Sequence, residues 1–99
     1  MSVYILAQLT IHDRDEYSKY EDQFLDVFDQ FDGALLSVDE EPKVLEGEWT
    51  ATRSVLIEFP TQEKAMAWLR SDAYRAIAKH RIAASVANSI LVKGFERAV

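Results

Sequence analysis

The chain has 99 residues, 48% of them hydrophobic, with eleven Lys and Arg against seventeen Asp and Glu for a formal charge of −6. That length predicts one globular domain over residues 1–99, with no room for a second. The absence of cysteine excludes disulfides and thiolate metal sites, the acidic balance opposes nucleic-acid binding, and the apolar runs fall short of the roughly 20 residues that span a membrane.

Met1 leads directly into Val3-Tyr4-Ile5-Leu6 without a basic segment, so no secretory signal is expected and the protein reads as cytoplasmic. Val3 to Thr10 alternates and predicts a first strand. Val3, Ile5, Ala7 and Leu9 point one way, and Tyr4, Leu6, Gln8 and Thr10 the other. Asp13 followed three residues later by Glu16 resembles a capping box. Beyond it Tyr17, Tyr20, Phe24, Val27, Phe28 and Phe31 recur at helical spacing, while the acidic excess between Asp13 and Asp32 forms the solvated face. Gly33 suits a left-handed residue closing this helix, and Ala34 to Leu45 predicts a long second strand, bent or bulged near Pro42 because proline cannot donate to a ladder.

Arg53 to Phe59 predicts the third strand, and Pro60-Thr61 ends it with Thr61 as the cap of a helix that buries Ala65, Trp68 and Leu69. Ser71 then caps a further helix to about Ala84, with Tyr74, Ile77, Ala78, Arg81 and Ile82 on one face. Asn88 to Phe95 alternates as the last strand, Ile90 and Val92 against Ser89, Leu91 and Lys93. The order β-α-β-β-α-β predicts an α+β, ferredoxin-like fold with helices on one side of an antiparallel sheet. With Val3, Ile5, Val55, Ile57, Ile90 and Val92 toward the helices, Leu6, Leu56 and Leu91 lie on the open face, which predicts a homodimer through the sheet faces.

Tyr17-x-x-Tyr20, Glu46-Gly47-x-Trp49, Arg53, Glu58-Phe59-Pro60, Ala65-x-Ala67-Trp68, Ser71-x-x-Tyr74 and Arg81 together resemble the bacterial family of the domain of unknown function 1330, over Tyr4 to Gly94. The resemblance implies a dimeric α/β barrel, in which two ferredoxin-like sheets pack face to face. It implies no reaction, since related barrels include cofactor-independent monooxygenases, muconolactone isomerases, stress-responsive barrels and haem-binding decolourising enzymes. Tyrosine often follows the second-helix tryptophan in such sequences; Leu69 stands here, making any pocket wall at that position more apolar.

Arg53 and Glu58 differ by five, an odd number, so a strand sends them to opposite faces. Arg53 is expected toward the helices, near Trp49, Trp68 and Tyr74, with the Tyr17 and Tyr20 hydroxyls at the helix start. There it either grips the carboxylate of a small apolar or aromatic acid, or pairs with Glu46 or Glu48 and packs over Trp49. Glu58 is expected on the dimer face among Gln8, Ser54, Ser89 and Lys93, either as a general base or paired with Lys93 to set dimer register. His12 and His80 lack partners at metal spacing, so neither a metal nor another cofactor is expected, and haem ligation, which the superfamily allows, would rest on His80 alone. The basic residues Arg70, Arg75, Lys79, His80 and Arg81 spread around a helix instead of forming a stripe, which again points away from nucleic acid. Two functions fit: a small cofactor-independent enzyme, monooxygenase- or isomerase-like, or a non-catalytic dimeric module for metabolite binding or structure.

Overall fold

The computed structural model describes residues 1–96. Its elements are β1 (Val3–Ile11), α1 (Arg14–Phe28), β2 (Ala34–Asp39), β3 (Arg53–Phe59), α2 (Gln62–Arg70), α3 (Asp72–Ala84) and β4 (Ser85–Lys93). The strands form one antiparallel sheet in the order β2-β3-β1-β4, and the helices cover one of its faces. This is the ferredoxin-like α+β arrangement. None of the described helices is long and apolar enough to cross a membrane.

Local chemistry sets the helix starts. The Asp13 carboxylate accepts the Glu16 amide at 3.1 Å, Thr61 Oγ1 the Lys64 amide at 3.2 Å, and Ser71 Oγ the Tyr74 amide at 3.1 Å. Each satisfies one of the first amide groups that a helix leaves without a partner. The capping box is half made: the Glu16 carboxylate turns to Lys19 and His80 instead of back to Asp13, and the Asp13 amide donates to Ala84 O at 3.2 Å.

Register decides which side chains face the helices, because directly opposed residues share a face. Val3, Ile5, Ala7 and Leu9 stand opposite Phe59, Ile57, Val55 and Arg53 of β3. In the core, Trp68 is the hub: its ring centroid lies 4.4 Å from Tyr74, 5.2 Å from Phe28, 5.6 Å from Phe59 and 6.0 Å from Phe24. Aromatic pairs in tilted or offset geometry contribute beyond their buried area.

Several expectations are corrected. β2 stops at Asp39 instead of reaching Leu45, since the Asp39 carboxylate takes the Glu41 amide at 2.8 Å in a turn just before Pro42. Its bulge falls between Leu35 and Ser37. Gly33 does not have a positive φ; a Cβ there would meet the Phe28 and Phe59 rings at 2.6 and 2.7 Å, so close approach explains it. The left-handed glycine is Gly47, at φ 81°. β4 begins at Ser85, directly after α3, and ends at Lys93 instead of Phe95. Its parity is also reversed: Leu91 opposes Ile5 and packs toward the helices, whereas Ile90 and Val92 oppose Leu6 and Tyr4 on the open face. Ile82, expected on the buried face of α3, is 65% exposed.

Candidate functional site

Between the sheet and the helices lies a cavity of about 280 Å³. Ile5, Ala7 and Val55 form its floor, Tyr17, Tyr20 and Phe24 of α1 one wall, and Trp68, Leu69 and Tyr74 of α2 and α3 another. Polar groups reach it from Glu21, Arg53, Arg81 and Ser89. Its size is near the lower end for small-molecule sites, which are typically about 300–1,000 Å³ and mostly apolar with a few placed polar groups.

Arg53 is 9% exposed because its partner across the ladder is the buried Leu9, which draws the stem of the side chain under α1. Its guanidinium lies 5.4 Å from the Tyr17 ring centroid. Nη1 is 3.1 Å from Glu21 Oε2 and 3.6 Å from Glu40 Oε1. Arg14 bridges the same two carboxylates, at 3.0 Å to Glu21 and 2.9 Å to Glu40. The expected pairing of Arg53 with Glu46 or Glu48 is thereby corrected: Glu21 sits one turn after Tyr17 on the inner side of α1, and Glu40 is the first residue after β2, so neither depends on the middle of the β2–β3 connection, where Glu46 and Glu48 lie.

Two buried donors at this cavity are left over. Arg53 Nε and Trp68 Nε1 have no hydrogen-bond partner among the described residues. A buried donor without an acceptor costs about 1–3 kcal/mol, so its persistence calls for an explanation. The Tyr20 and Tyr74 hydroxyls, by contrast, share one hydrogen bond at 3.1 Å, in which one donates and the other keeps its own O–H free. Burial, followed by the neighbouring Tyr74, pushes the Tyr20 phenol far above its ordinary value, and burial likewise raises Tyr17 against the opposing pull of Arg53. Both phenols therefore stay protonated near neutral pH and can donate hydrogen bonds.

Of the residues singled out in the sequence, Arg53, Trp68, Tyr74, Tyr17 and Tyr20 all line this one cavity. Trp49 does not; it sits 37% exposed in the β2–β3 connection. Glu21, Ser89 and Arg81 complete the lining. Glu21 looked like one more acidic residue of a solvated helix face, and only its spacing of four from Tyr17 marks it.

On the open face Glu58 stands opposite Tyr4, and Gln8 opposite Ser54 and Asn88. Lys93 does not join them: it opposes Val3, on the helix-side parity, and Ser89 opposes Ala7 in the cavity. A Glu58–Lys93 pair is replaced by the contact of Glu58 with Tyr4, whose phenol is raised chiefly by the Glu58 charge. His12 is exposed, and His80 holds Glu16 instead of facing the cavity. Among the described residues no group of three or more His, Cys, Asp and Glu side chains is placed to hold a metal ion.

Residues 2–95 match the family described as "Domain of unknown function (DUF1330)". The chain belongs to that family. No curated protein matches it. Among solved structures it is similar to the RPA0582 protein of unknown function from Rhodopseudomonas palustris, with a TM-score of 0.81, 18% identity, and coverage of 97% of this chain and 84% of that one. It is also similar to SnoaB, a cofactor-independent oxygenase from Streptomyces nogalater, with a TM-score of 0.67, 13% identity, and coverage of 97% and 95%. At such identities the likeness is one of fold.

Proposed function

We propose that this DUF1330 protein takes a small apolar or aromatic compound into the helix–sheet cavity and acts on it with its own side chains, as a cofactor-independent oxygenase or isomerase does. The observation that carries this reading is the pair of unpartnered buried donors, Arg53 Nε and Trp68 Nε1, on side chains that line one aromatic-walled cavity. A carbonyl oxygen of a ligand would satisfy either donor once its side chain turns to bring the nitrogen, now covered, to the cavity surface. Among the described residues Glu21 is the one carboxylate lining the cavity, and it is the candidate base for a proton on a substrate carbon. Of Tyr20 and Tyr74, the hydroxyl that accepts in their shared hydrogen bond keeps a free O–H and is the candidate donor to the enolate left behind. Returning the proton to another carbon isomerises the substrate, whereas bonding the deprotonated carbon to molecular oxygen as co-substrate gives a peroxide anion that takes the proton back from Glu21 and loses water, one oxygen atom leaving in that water and the other staying as a new carbonyl. The fold shared with SnoaB is compatible with the second route.

A second reading has its own support. Arg14, Glu21, Glu40 and Arg53 form a closed ion network, as in a structural clasp, and this favours a module that binds a metabolite without transforming it.

We further propose that the protein works as a homodimer through the open sheet face. The support is the row Leu6, Leu56, Ile90 and Val92, of which Leu6 and Ile90 are 41% and 59% exposed. A thermal-shift screen of bicyclic aromatic acids and phenols, followed by oxygen-electrode measurements on the hits, tests the main reading. A ligand at about 100 times its Kd raises stability by roughly 2.7 kcal/mol. Ala87→Phe, which fills the cavity from β4, should abolish that rise; a response that survives it puts the ligand elsewhere. Among hits that bind, oxygen uptake or an isomerised product favours the enzyme, and unchanged ligand favours the binding module.

A further inference from the structure

We propose that the compound held in this cavity is a monoanion whose carboxylate docks on Arg81, while Arg53 meets a neutral acceptor; the assignment rests on the cavity reading above and deepens it.

Arg14 and Arg53 are matched by Glu21 and Glu40, so these four groups sum to zero. Arg81 lines the same cavity and has no carboxylate within salt-bridge distance among the described residues. A guanidinium cannot shed its charge in a protein. The cavity is therefore left with one unmatched positive charge, on a half-buried side chain beside an apolar interior.

An incoming carboxylate at Arg53 would meet Glu21 and Glu40 at 3.1 and 3.6 Å from the same nitrogen, and like charges so close repel it. At Arg81 it meets no such competitor. The Arg81 guanidinium lies 6.0 Å from the Tyr20 ring centroid, which holds it against the cavity wall. Its charge also acts on both the Tyr17 and Tyr20 phenols, as expected of a group that reaches over that wall. The last turn of α3 favours a cation at this position whatever its use. That accounts for a charge near the helix end, but an arginine serving the helix end alone has no reason to lie along Tyr20. Separating the two arginines by role also explains Arg53 Nε: with its charge neutralised, it offers one hydrogen bond and suits an uncharged oxygen.

The test uses 2-naphthoate and its neutral isostere 2-naphthamide, titrated calorimetrically into the wild type, Arg81→Gln and Arg81→Lys. The wild type should bind the acid roughly 10- to 100-fold more tightly than the amide, the range for a hydrogen-bonded charge pair. Arg81→Gln should lose that preference, its affinity for the acid falling to that for the amide, and Arg81→Lys should keep part of it, having the charge without the planar fork. A preference that persists in Arg81→Gln, or equal binding of both compounds by the wild type, overturns the Arg81 assignment and leaves the cavity reading standing. Binding of neither compound to the wild type overturns the cavity reading and the assignment with it.

Discussion

Strands β1 and β3 present Ile5, Ile57 and Phe59 to the helices and Leu6 and Leu56 to the opposite side, in strict alternation, and β4 adds Ile90 to that open side. The first set is at most 7% exposed, whereas Leu6 and Ile90 are 41% and 59% exposed. The covered face has realised its apolar burial within one chain, and the open face holds a similar set of side chains that one chain leaves partly in contact with water. Stability and association should therefore separate by face: substitutions between sheet and helices should unfold the chain, and those across the strand should change its mass.

The largest effect is expected for Phe59→Ala. Phe59 is fully buried and touches both Phe28 and Trp68, so its loss should lower the urea-derived unfolding free energy by about 3–5 kcal/mol. A loss under about 1 kcal/mol would mean that the cavity beside it collapses to refill the space. Next comes Arg53→Ala, which leaves Arg14 as the cation shared by Glu21 and Glu40 near the cavity. We expect about 2–3 kcal/mol, below the roughly 3–5 for a fully buried pair because the Glu21 side chain is 29% exposed. Glu46→Gln should change nothing if the pairing is as described, and an equal loss in that variant would restore the connecting loop as the partner of Arg53.

On the open face, Leu56→Glu should leave the urea midpoint of the isolated chain little changed while moving the protein from dimer to monomer in sedimentation at micromolar concentration. Each buried leucine contributes about 1.5–3 kcal/mol to such an interface. A wild type already monomeric at that concentration would remove the dimer from the argument and leave the open apolar row without a use.

How far these faces could be read in advance depended on the kind of signal. Strand alternation and side-chain caps are local, so β1, β3 and the starts of α1, α2 and α3 were legible to within a residue. β4 was misjudged because Ser85-Val86-Ala87 continues the composition of α3, and no loop residue marks the change. Taking Asn88 as the start, and pairing Ile90 with Val92 by apolarity, then put Leu91 on the wrong face. Register against Ile5 settles it, and register is a property of two strands. The aromatic half of the site was visible as helix-spaced tyrosines and a tryptophan. Its charged half was not, because nothing in the spacing between residues 21, 40 and 53 announces that they meet.

The smallest expected effect belongs to neither face. Glu16 at the start of α1 accepts a hydrogen bond from His80 of α3 at 2.5 Å and from Lys19 at 3.0 Å, and these partners, His80 first, hold its carboxyl below the ordinary 4.5. A carboxylate depressed in the folded state binds fewer protons there than in the unfolded chain, so it adds stability above the unfolded value. That contribution is lost as pH falls from about 4.5 through the lower folded value. Glu16→Gln should accordingly melt below the wild type at pH 6, and the gap should narrow at pH 3, where the wild-type carboxylate is increasingly protonated. Because the pair clasps α1 to α3 on the far side of the helices from the open face, sedimentation at pH 6 should be the same for both proteins. A gap that stays constant down to pH 3 would show that the ionised Glu16 contributes nothing through His80 and Lys19, and that the clasp acts by packing alone. A change in mass at pH 6 would instead couple the helix layer to association, and the separation of the two faces would fail.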